Sequence, residues 1–119
     1  MDASFNGTHW SYNGPLLLTR ILKKKCNTTD NSKMLSERCS GFQVLPTKYC
    51  YEILYNERTK FFEERYLEEV LRRIEDSIIV HVWNKLSKSI KLSVNSTAAY
   101  IHLARKYCPK VIEACGEYF

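Results

Sequence analysis

The chain has 119 residues, a mass of 14.0 kDa and a formal net charge of +5. This length is typical of one domain, so neither a multidomain machine nor a complete large enzyme is expected. Hydrophobic residues make up 45% and charged residues 26%, with four Gly and three Pro, which excludes collagen-like, low-complexity and disordered classes. No run approaches the roughly 18 to 20 apolar residues that cross a bilayer, and the amino terminus has no signal pattern, so nothing in the sequence as written targets or anchors the chain.

The first half of the chain predicts a loop, a helix and a second loop. Residues 1–14 contain two Asn-Gly pairs and are expected to form turns. Pro15 suits the first position of a helix, which apolar residues at helical spacing continue to Cys26. The helix ends in Lys23-Lys24-Lys25, which indicates a solvated helix end more simply than a nucleic-acid site. No nucleic-acid-binding motif accompanies the charge, so no nucleic acid partner is expected. Residues 27–41 are predicted to be a polar loop.

The second half predicts helices packed on a small sheet. Two short strands are expected over 42–45 and 49–55, and a third over 77–83, where β-branched residues predict burial on both faces. Thr59 is expected to cap a helix with a core-facing stripe of Phe62, Tyr66, Val70, Leu71 and Ile74. A further helix is predicted from about residue 96 to 107, and Pro109 is expected to open a short last one. With no repeat or linker, the pattern indicates one α/β unit.

Cysteines and sequons bear on the compartment. None of the five cysteines forms a C-x-x-C pair, which argues against a zinc ribbon or a thioredoxin-type site. Glycosylation sequons begin at Asn6, Asn27 and Asn95; each alone could be a turn or cap, but together they favour a secretory lumen. There, Cys26 and Cys39 could close the polar loop between them, the first choice of pairing. Cys108 and Cys115 could be buried thiols.

The first candidate site lies at the end of the third predicted strand. Alternation places His81 and Trp83 on one face, and Asn84 and Lys85 follow directly. An imidazole, an indole, an amide and an amine so close together suit a metal-bound diphosphate that carries a base or a sugar. A core histidine beside a core tryptophan is the alternative, and composition alone favours it.

The second candidate site is the turn before the first helix. Gly14 permits a tight turn, Pro15 fixes the helix start, and the first helical N–H groups are free to face an anion or sugar hydroxyls. The rings of Trp10 and Tyr12 suit the apolar faces of sugars. An ordinary turn that opens a helix is the alternative, and the local sequence alone favours it.

Three segments resemble, in order, conserved motifs of the alpha-1,4-glycosyltransferases, the globotriaosylceramide synthase group. They are W-S-Y-N-G-P over 10–15, followed by L-T-R and Cys26; V-H-V-W-N-K-L-S over 80–87; and A-R-K-Y-C-P over 104–109. The resemblance covers nearly the whole chain. It implies a GT-A-like fold in which an Asp-x-Asp motif in the first half holds Mn²⁺ and a UDP-sugar, and in which the second half closes over donor and acceptor.

The resemblance also implies roles for single residues. His81 is similar to an imidazole that completes the Mn²⁺ shell in related transferases, and Lys85 would stabilise the leaving diphosphate. Trp83 and Asn84 would shape the donor pocket. Trp10, Asn13 and Gly14 would line the sugar or acceptor side.

The resemblance is to the second half of such an enzyme only. The aspartates Asp2, Asp30 and Asp76 are isolated, so the sequence has no Asp-x-Asp, and it has no membrane anchor. We therefore expect residues 1–119 to be the C-terminal part of a Golgi hexosyltransferase, with three to four helices on a small mixed sheet, inactive in isolation. The parent would transfer a hexose or N-acetylhexosamine from a UDP-sugar to a glycolipid or glycoprotein in alpha-1,4 linkage. The alternative is a non-catalytic lumenal module, for carbohydrate binding or assembly, derived from such an enzyme.

Overall fold

A computed structural model describes residues 6–9 and 11–118 of the chain, which divides into two compact units, Met1–Pro46 and Thr47–Phe119. Each unit has its own cluster of buried residues. Across the described residues the secondary structure is helical, and the only β pairing is an isolated antiparallel bridge between Ser93 and Tyr118. The predicted α/β fold, with helices packed on a small mixed sheet, is therefore wrong. No helix in this described part is both long and apolar enough to cross a membrane.

The first unit is built on helix α1, Pro15–Lys25, which begins at the predicted proline and ends at the predicted lysines. A 3₁₀-helix, Asn31–Lys33, lies within the polar loop that follows. A disulfide joins Cys26 to Cys39, the pairing that the sequence analysis put first, with the two Cα atoms 4.5 Å apart. Both cysteines belong to the buried core of this unit, which consists of Leu22, Cys26, Met34 and Cys39 with Val44 against them.

The second unit contains five α-helices and two 3₁₀-helices. In chain order they are α2 (Lys48–Tyr51), the 3₁₀-helices Tyr55–Phe62 and Glu64–Tyr66, α3 (Leu67–Arg73), α4 (Asn84–Ser87), α5 (Ala99–Tyr107) and α6 (Pro109–Ala114). The buried core is made of Ile53, Phe61, Val70, Ile74 and Ala99. The stripe predicted over 62–74 lies in or against this core, and helices α5 and α6 confirm the two predicted near the carboxyl terminus.

The three predicted strands are absent for identifiable reasons. Residues 42–45 have no regular secondary structure, and the Val44 N–H donates to the Met34 carbonyl oxygen at 3.1 Å instead of to a neighbouring strand. Residues 49–55 contain most of α2 and the start of a 3₁₀-helix. Over 77–83 the N–H groups of Ile78 and Ile79 both donate to the carbonyl oxygen of Tyr49, at 2.9 and 3.1 Å, which turns the segment instead of forming a ladder. Ile78 and Ile79 are 68% and 59% exposed, so the predicted burial on both faces is also wrong. A β-branched run becomes a strand only where another strand pairs with it.

An ion-pair network ties α3 to the segment that follows α2. The Arg73 guanidinium donates to the Glu57 carboxylate at 2.9 and 3.2 Å and to the Glu52 carbonyl oxygen at 2.7 Å. Lys60 donates to Glu57 and Glu69 at 2.9 and 2.8 Å. The hydrogen bonds from Arg73 and then Lys60 lower the pKa of Glu57 from 4.5 to about 2. The network thereby fixes residues 52–57, which border the candidate site.

Candidate functional site

The turn before α1 is closed by its own side chains. Asn13 accepts the Asn6 N–H at 3.2 Å through its side-chain oxygen and donates its amide to the Asn6 carbonyl oxygen at 2.8 Å. The Arg20 guanidinium lies 4.2 Å from the centre of the Tyr12 ring and donates to the Tyr12 carbonyl oxygen at 3.3 Å. The motif residues Asn13 and Arg20 therefore hold the turn together. Any ligand that Asn13 binds would have to share it with these contacts within the turn.

Gly14 has φ −116° and ψ −109°, and a Cβ added there would meet no atom of the described residues within 4 Å. Close packing among these residues therefore does not require the glycine. Trp10, the third residue predicted to line the sugar or acceptor side, lies outside the described residues. The roles of Trp10, Asn13 and Gly14 stay predictions.

In the second unit, His81 and Trp83 lie together, as alternation had suggested, although no strand places them there. Their ring centres are 4.4 Å apart at 61°, and Tyr51 lies beside both, with ring centres 5.3 Å from His81 and 5.6 Å from Trp83. Tyr55 meets the edge of Trp83 at 6.2 Å. The Trp83 indole N–H donates to the Ile53 carbonyl oxygen at 3.0 Å. These contacts form an aromatic cluster of Tyr51, Tyr55, His81 and Trp83.

The aromatic cluster is open on one side. Tyr51 and Tyr55 are 41% and 60% exposed, His81 is exposed and Trp83 is half-buried. The predicted core histidine, sealed beside a core tryptophan, is not what the structure contains. An exposed group of rings with one fixed indole can stack against a flat base or the apolar face of a sugar.

Asn84 and Lys85 begin α4 directly after Trp83, and both are exposed. Asn84 also lines a cavity of about 190 Å³, whose other lining residues are Phe62, Val82, Ser87, Lys88, Ile90, Leu92 and Tyr100. Aromatic and aliphatic residues line most of the cavity, and Asn84, Ser87 and Lys88 are its non-aromatic polar residues. Burial against this side of the unit raises the pKa of Tyr100.

The resemblance implies Mn²⁺, which can be tested against the chemistry of His81. The Nδ1 atom of His81 accepts the Trp83 N–H at 3.1 Å. A neutral imidazole whose Nδ1 accepts a hydrogen bond carries its proton on Nε2, and a protonated nitrogen cannot bind a metal ion. No group of three or more His, Cys, Asp or Glu side chains gathers within 6–9 and 11–118, so these residues do not by themselves enclose a metal ion. In the protonation state that its hydrogen bond sets, His81 does not fit the role of a Mn²⁺ ligand.

The other predicted positions lie on the surface or nearly so. The sequon asparagines Asn6, Asn27 and Asn95 are all exposed. The prediction that Cys108 and Cys115 are buried thiols is wrong, because Cys108 is exposed and Cys115 is partly so, at the two ends of α6. Both thiols are free in the structure.

Comparison with known proteins gives the family. The model of the alpha 1,4-glycosyltransferase conserved region matches residues 1–115. The chain belongs to the alpha-1,4-glycosyltransferase family. The segment with Trp83, Asn84 and Lys85 and the turn with Asn13 and Gly14 both lie within the matched region of the family.

Named relatives agree with this family. Lactosylceramide 4-alpha-galactosyltransferase from Pongo pygmaeus is 36% identical over 114 residues, 96% of this chain and 51% of the relative. The Homo sapiens protein of that name is 36% identical over 96% of this chain and 32% of its own length. Alpha-1,4-N-acetylglucosaminyltransferase from Homo sapiens is 26% identical over 89% of this chain and 31% of its own length. The chain thus spans from about a third to about a half of the length of these relatives. No solved structure matches it.

Sequence reasoning missed the structural roles of three residues, two outside the family segment and one within it. Tyr51 and Tyr55 complete the aromatic cluster, and Ser87, the last residue of the V-H-V-W-N-K-L-S segment, is buried and donates its hydroxyl to the carbonyl oxygens of Val82 and Trp83, at 3.0 and 3.2 Å. Spacing could not show how the two tyrosines are placed, because both lie in the strand predicted over 49–55, where the structure has the end of α2 and the start of a 3₁₀-helix. The signal for Ser87 was its place in the motif.

Proposed function

We propose that the protein that carries this chain is a glycosyltransferase that moves a hexose or N-acetylhexosamine from a UDP-sugar onto a terminal sugar of a glycolipid or glycoprotein in alpha-1,4 linkage. Family membership supports the reaction class. The names of the relatives support galactose or N-acetylglucosamine as the sugar, and the lactosylceramide enzymes suggest a glycolipid acceptor.

The observation that carries the proposal is that Trp83, Asn84 and Lys85 place an indole, an amide and an ammonium group next to one another at the surface. A fixed, half-buried indole is followed directly by an exposed amide and an exposed ammonium group. We assign the indole and amide to the donor nucleotide or sugar, and the Lys85 ammonium to the diphosphate. A positive group placed where negative charge develops on the leaving UDP lowers the barrier to transfer.

Cofactor and compartment belong to the same proposal. A Mn²⁺ ion, as the resemblance implies, would polarise the diphosphate of the whole protein, but we do not assign His81 to it. The exposed sequons and the disulfide support a lumenal, oxidising compartment, for which we propose the Golgi, the location that the resemblance implies.

Transfer can be measured directly on the protein expressed from its full natural gene. UDP-galactose and UDP-N-acetylglucosamine are offered with lactosylceramide and with a glycoprotein, and transferred sugar is counted. We expect turnover with one donor, and we expect Lys85→Met to lower kcat/KM at least tenfold because the diphosphate loses its ammonium partner.

Lys91→Met is the matched control, since Lys91 is also exposed, lies outside the aromatic cluster and does not line the cavity. Equal kcat/KM in the two variants would remove Lys85 from the site. Absence of transfer with every donor and acceptor, by protein that binds the acceptor glycan, would instead favour the lumenal module.

A further inference from the structure

The backbone of Trp83 adopts a conformation that tryptophan seldom takes. Its φ of 55° and ψ of 43° are left-handed, and they place Trp83 at the start of α4. For a residue with a Cβ, and without the short polar side chain of Asn or Asp, this conformation costs about 1–2 kcal/mol. Such a residue persists only where its surroundings hold it.

Trp83 donates two hydrogen bonds that hold it in place, one from its side chain and one from its main chain. The indole N–H donates to the Ile53 carbonyl oxygen at 3.0 Å, and the main-chain N–H donates to His81 Nδ1 at 3.1 Å. The two rings then meet edge to face, with centres 4.4 Å apart. His81 is therefore the side chain that satisfies the Trp83 main chain at the point where the backbone turns into α4.

We propose that His81 is a positioning residue, whose Nδ1 holds the Trp83 backbone in the left-handed conformation and whose ring is not a metal ligand. Because Nδ1 accepts, the ring keeps its proton on Nε2 and presents an N–H donor to solvent. That donor suits an oxygen atom of a phosphate or a hydroxyl group, whereas a divalent cation would require the opposite protonation. The conformation of Trp83 in turn sets where Asn84 and Lys85 stand.

The inference deepens the proposed function, because it concerns the same site. The exchange rate of the Trp83 amide and the protonation of the His81 ring can nevertheless be measured without assaying sugar transfer. Either can thus fail while the other holds.

Two substitutions of His81 distinguish the roles of Nδ1 and Nε2. The side-chain oxygen of His81→Asn lies near the position of Nδ1 and can accept the Trp83 N–H. The longer side chain of His81→Gln places its amide near Nε2 and leaves Nδ1 without a replacement. His102→Gln is the matched control, because His102 is an exposed histidine on α5.

Amide hydrogen exchange at Trp83, followed by NMR on the full chain at about pH 8, where imidazoles are generally neutral, reads the bond directly. We expect exchange at Trp83 to be at least tenfold faster in His81→Gln, within about threefold of the unsubstituted protein in His81→Asn, and unchanged in His102→Gln. Equal exchange in all proteins, or equal acceleration in both His81 variants, would overturn the proposal.

Two measurements on the unsubstituted protein need no variant to fold. The ¹⁵N shifts of the His81 ring are expected to show a protonated Nε2 and an unprotonated Nδ1, and the reverse pattern would overturn the proposal. When Mn²⁺ alone is added, we expect no selective paramagnetic broadening of the His81 ring signals. Broadening centred on that ring would make His81 a metal ligand.

Discussion

The hydroxyl of Ser87 provides a sharp test of how the family segment is held. Its Oγ donates to the carbonyl oxygens of Val82 and Trp83 at 3.0 and 3.2 Å, and the residue is only 4% exposed. Ser87→Ala removes this donor without adding bulk. The Trp83 carbonyl oxygen keeps the N–H groups of Leu86 and Ser87, at 2.8 and 3.2 Å, so the main loss falls on Val82.

The expected cost of Ser87→Ala follows from that geometry. One lost hydrogen bond is worth about 1 kcal/mol net, and leaving the Val82 carbonyl group without this donor beside the buried Ser87 adds to it, so we expect a loss of about 1 to 2 kcal/mol in the free energy of unfolding. This corresponds to about a five- to thirtyfold change in the ratio of folded to unfolded protein.

Urea unfolding of the purified protein measures this cost, with Ser89→Ala as the control. Ser89 is exposed two residues further on, so its substitution is expected to change the free energy of unfolding by less than about 0.5 kcal/mol. A Ser87→Ala protein as stable as Ser89→Ala would show that the hydroxyl does not support the Trp83 turn.

Three further predictions concern charge, the disulfide and the sequons. Because the pKa of Glu57 is lowered from 4.5 to about 2, its ion pairs stabilise the fold fully above pH 4.5, and this stabilisation is lost as the pH falls to about 2. Glu57→Gln should therefore lower the free energy of unfolding at neutral pH and make that free energy fall less steeply between pH 4.5 and about 2. An equally steep fall in the variant would contradict the network. Replacing both Cys26 and Cys39 by serine opens a loop with a sequence separation of 13 and should lower the free energy of unfolding by about 3 kcal/mol, measured with denaturant. If the unsubstituted protein unfolds at the same denaturant concentration with and without a reductant, the disulfide is refuted. In secretory cells, an N-glycosidase should reduce the mass of the protein, and Asn27→Gln should remove one step of that change; a mass unaffected by the enzyme would argue against a lumenal location.

The helices that were predicted correctly carry local signals strong enough to survive any tertiary context. Pro15 and Pro109 both stand at the first position of a helix, where the missing N–H costs nothing, and both helices begin there. Ala99 and Ile101 are completely buried and lie on the apolar face of α5. Spacing alone was sufficient in these segments.

The strands failed because a strand depends on a partner that its own sequence does not specify. Residues 77–83 have the β-branched composition of a buried strand, yet Ile78 and Ile79 share one acceptor, the Tyr49 carbonyl oxygen, and face solvent. Val80 and Val82 do pack against the core, but Ile78, which alternation places on the same face, is exposed, so the alternation was only partly correct. Composition alone therefore gave neither the backbone of this segment nor all of the side chains that turn inward.

The candidate site was found by chemistry and motif, while its geometry came from contacts distant in sequence. Trp83 is fixed by the carbonyl oxygen of Ile53, 30 residues earlier, and by the Tyr51 ring. The left-handed backbone at Trp83 could not be predicted, because no glycine stands at this position. The hydrogen bond that His81 accepts from the Trp83 N–H could not be predicted either, because a histidine in a transferase motif is first interpreted as a metal ligand.

The central claim is that the segment from His81 to Ser87 meets the diphosphate of the donor. Amide hydrogen exchange of the protein from its full natural gene, measured with and without UDP, tests it most directly. We expect saturating UDP to slow exchange within residues 81–88, and we expect Lys85→Met to raise the UDP concentration that gives half of this protection at least tenfold. Protection by UDP confined to other parts of the protein, with exchange over 81–88 unchanged, would contradict it.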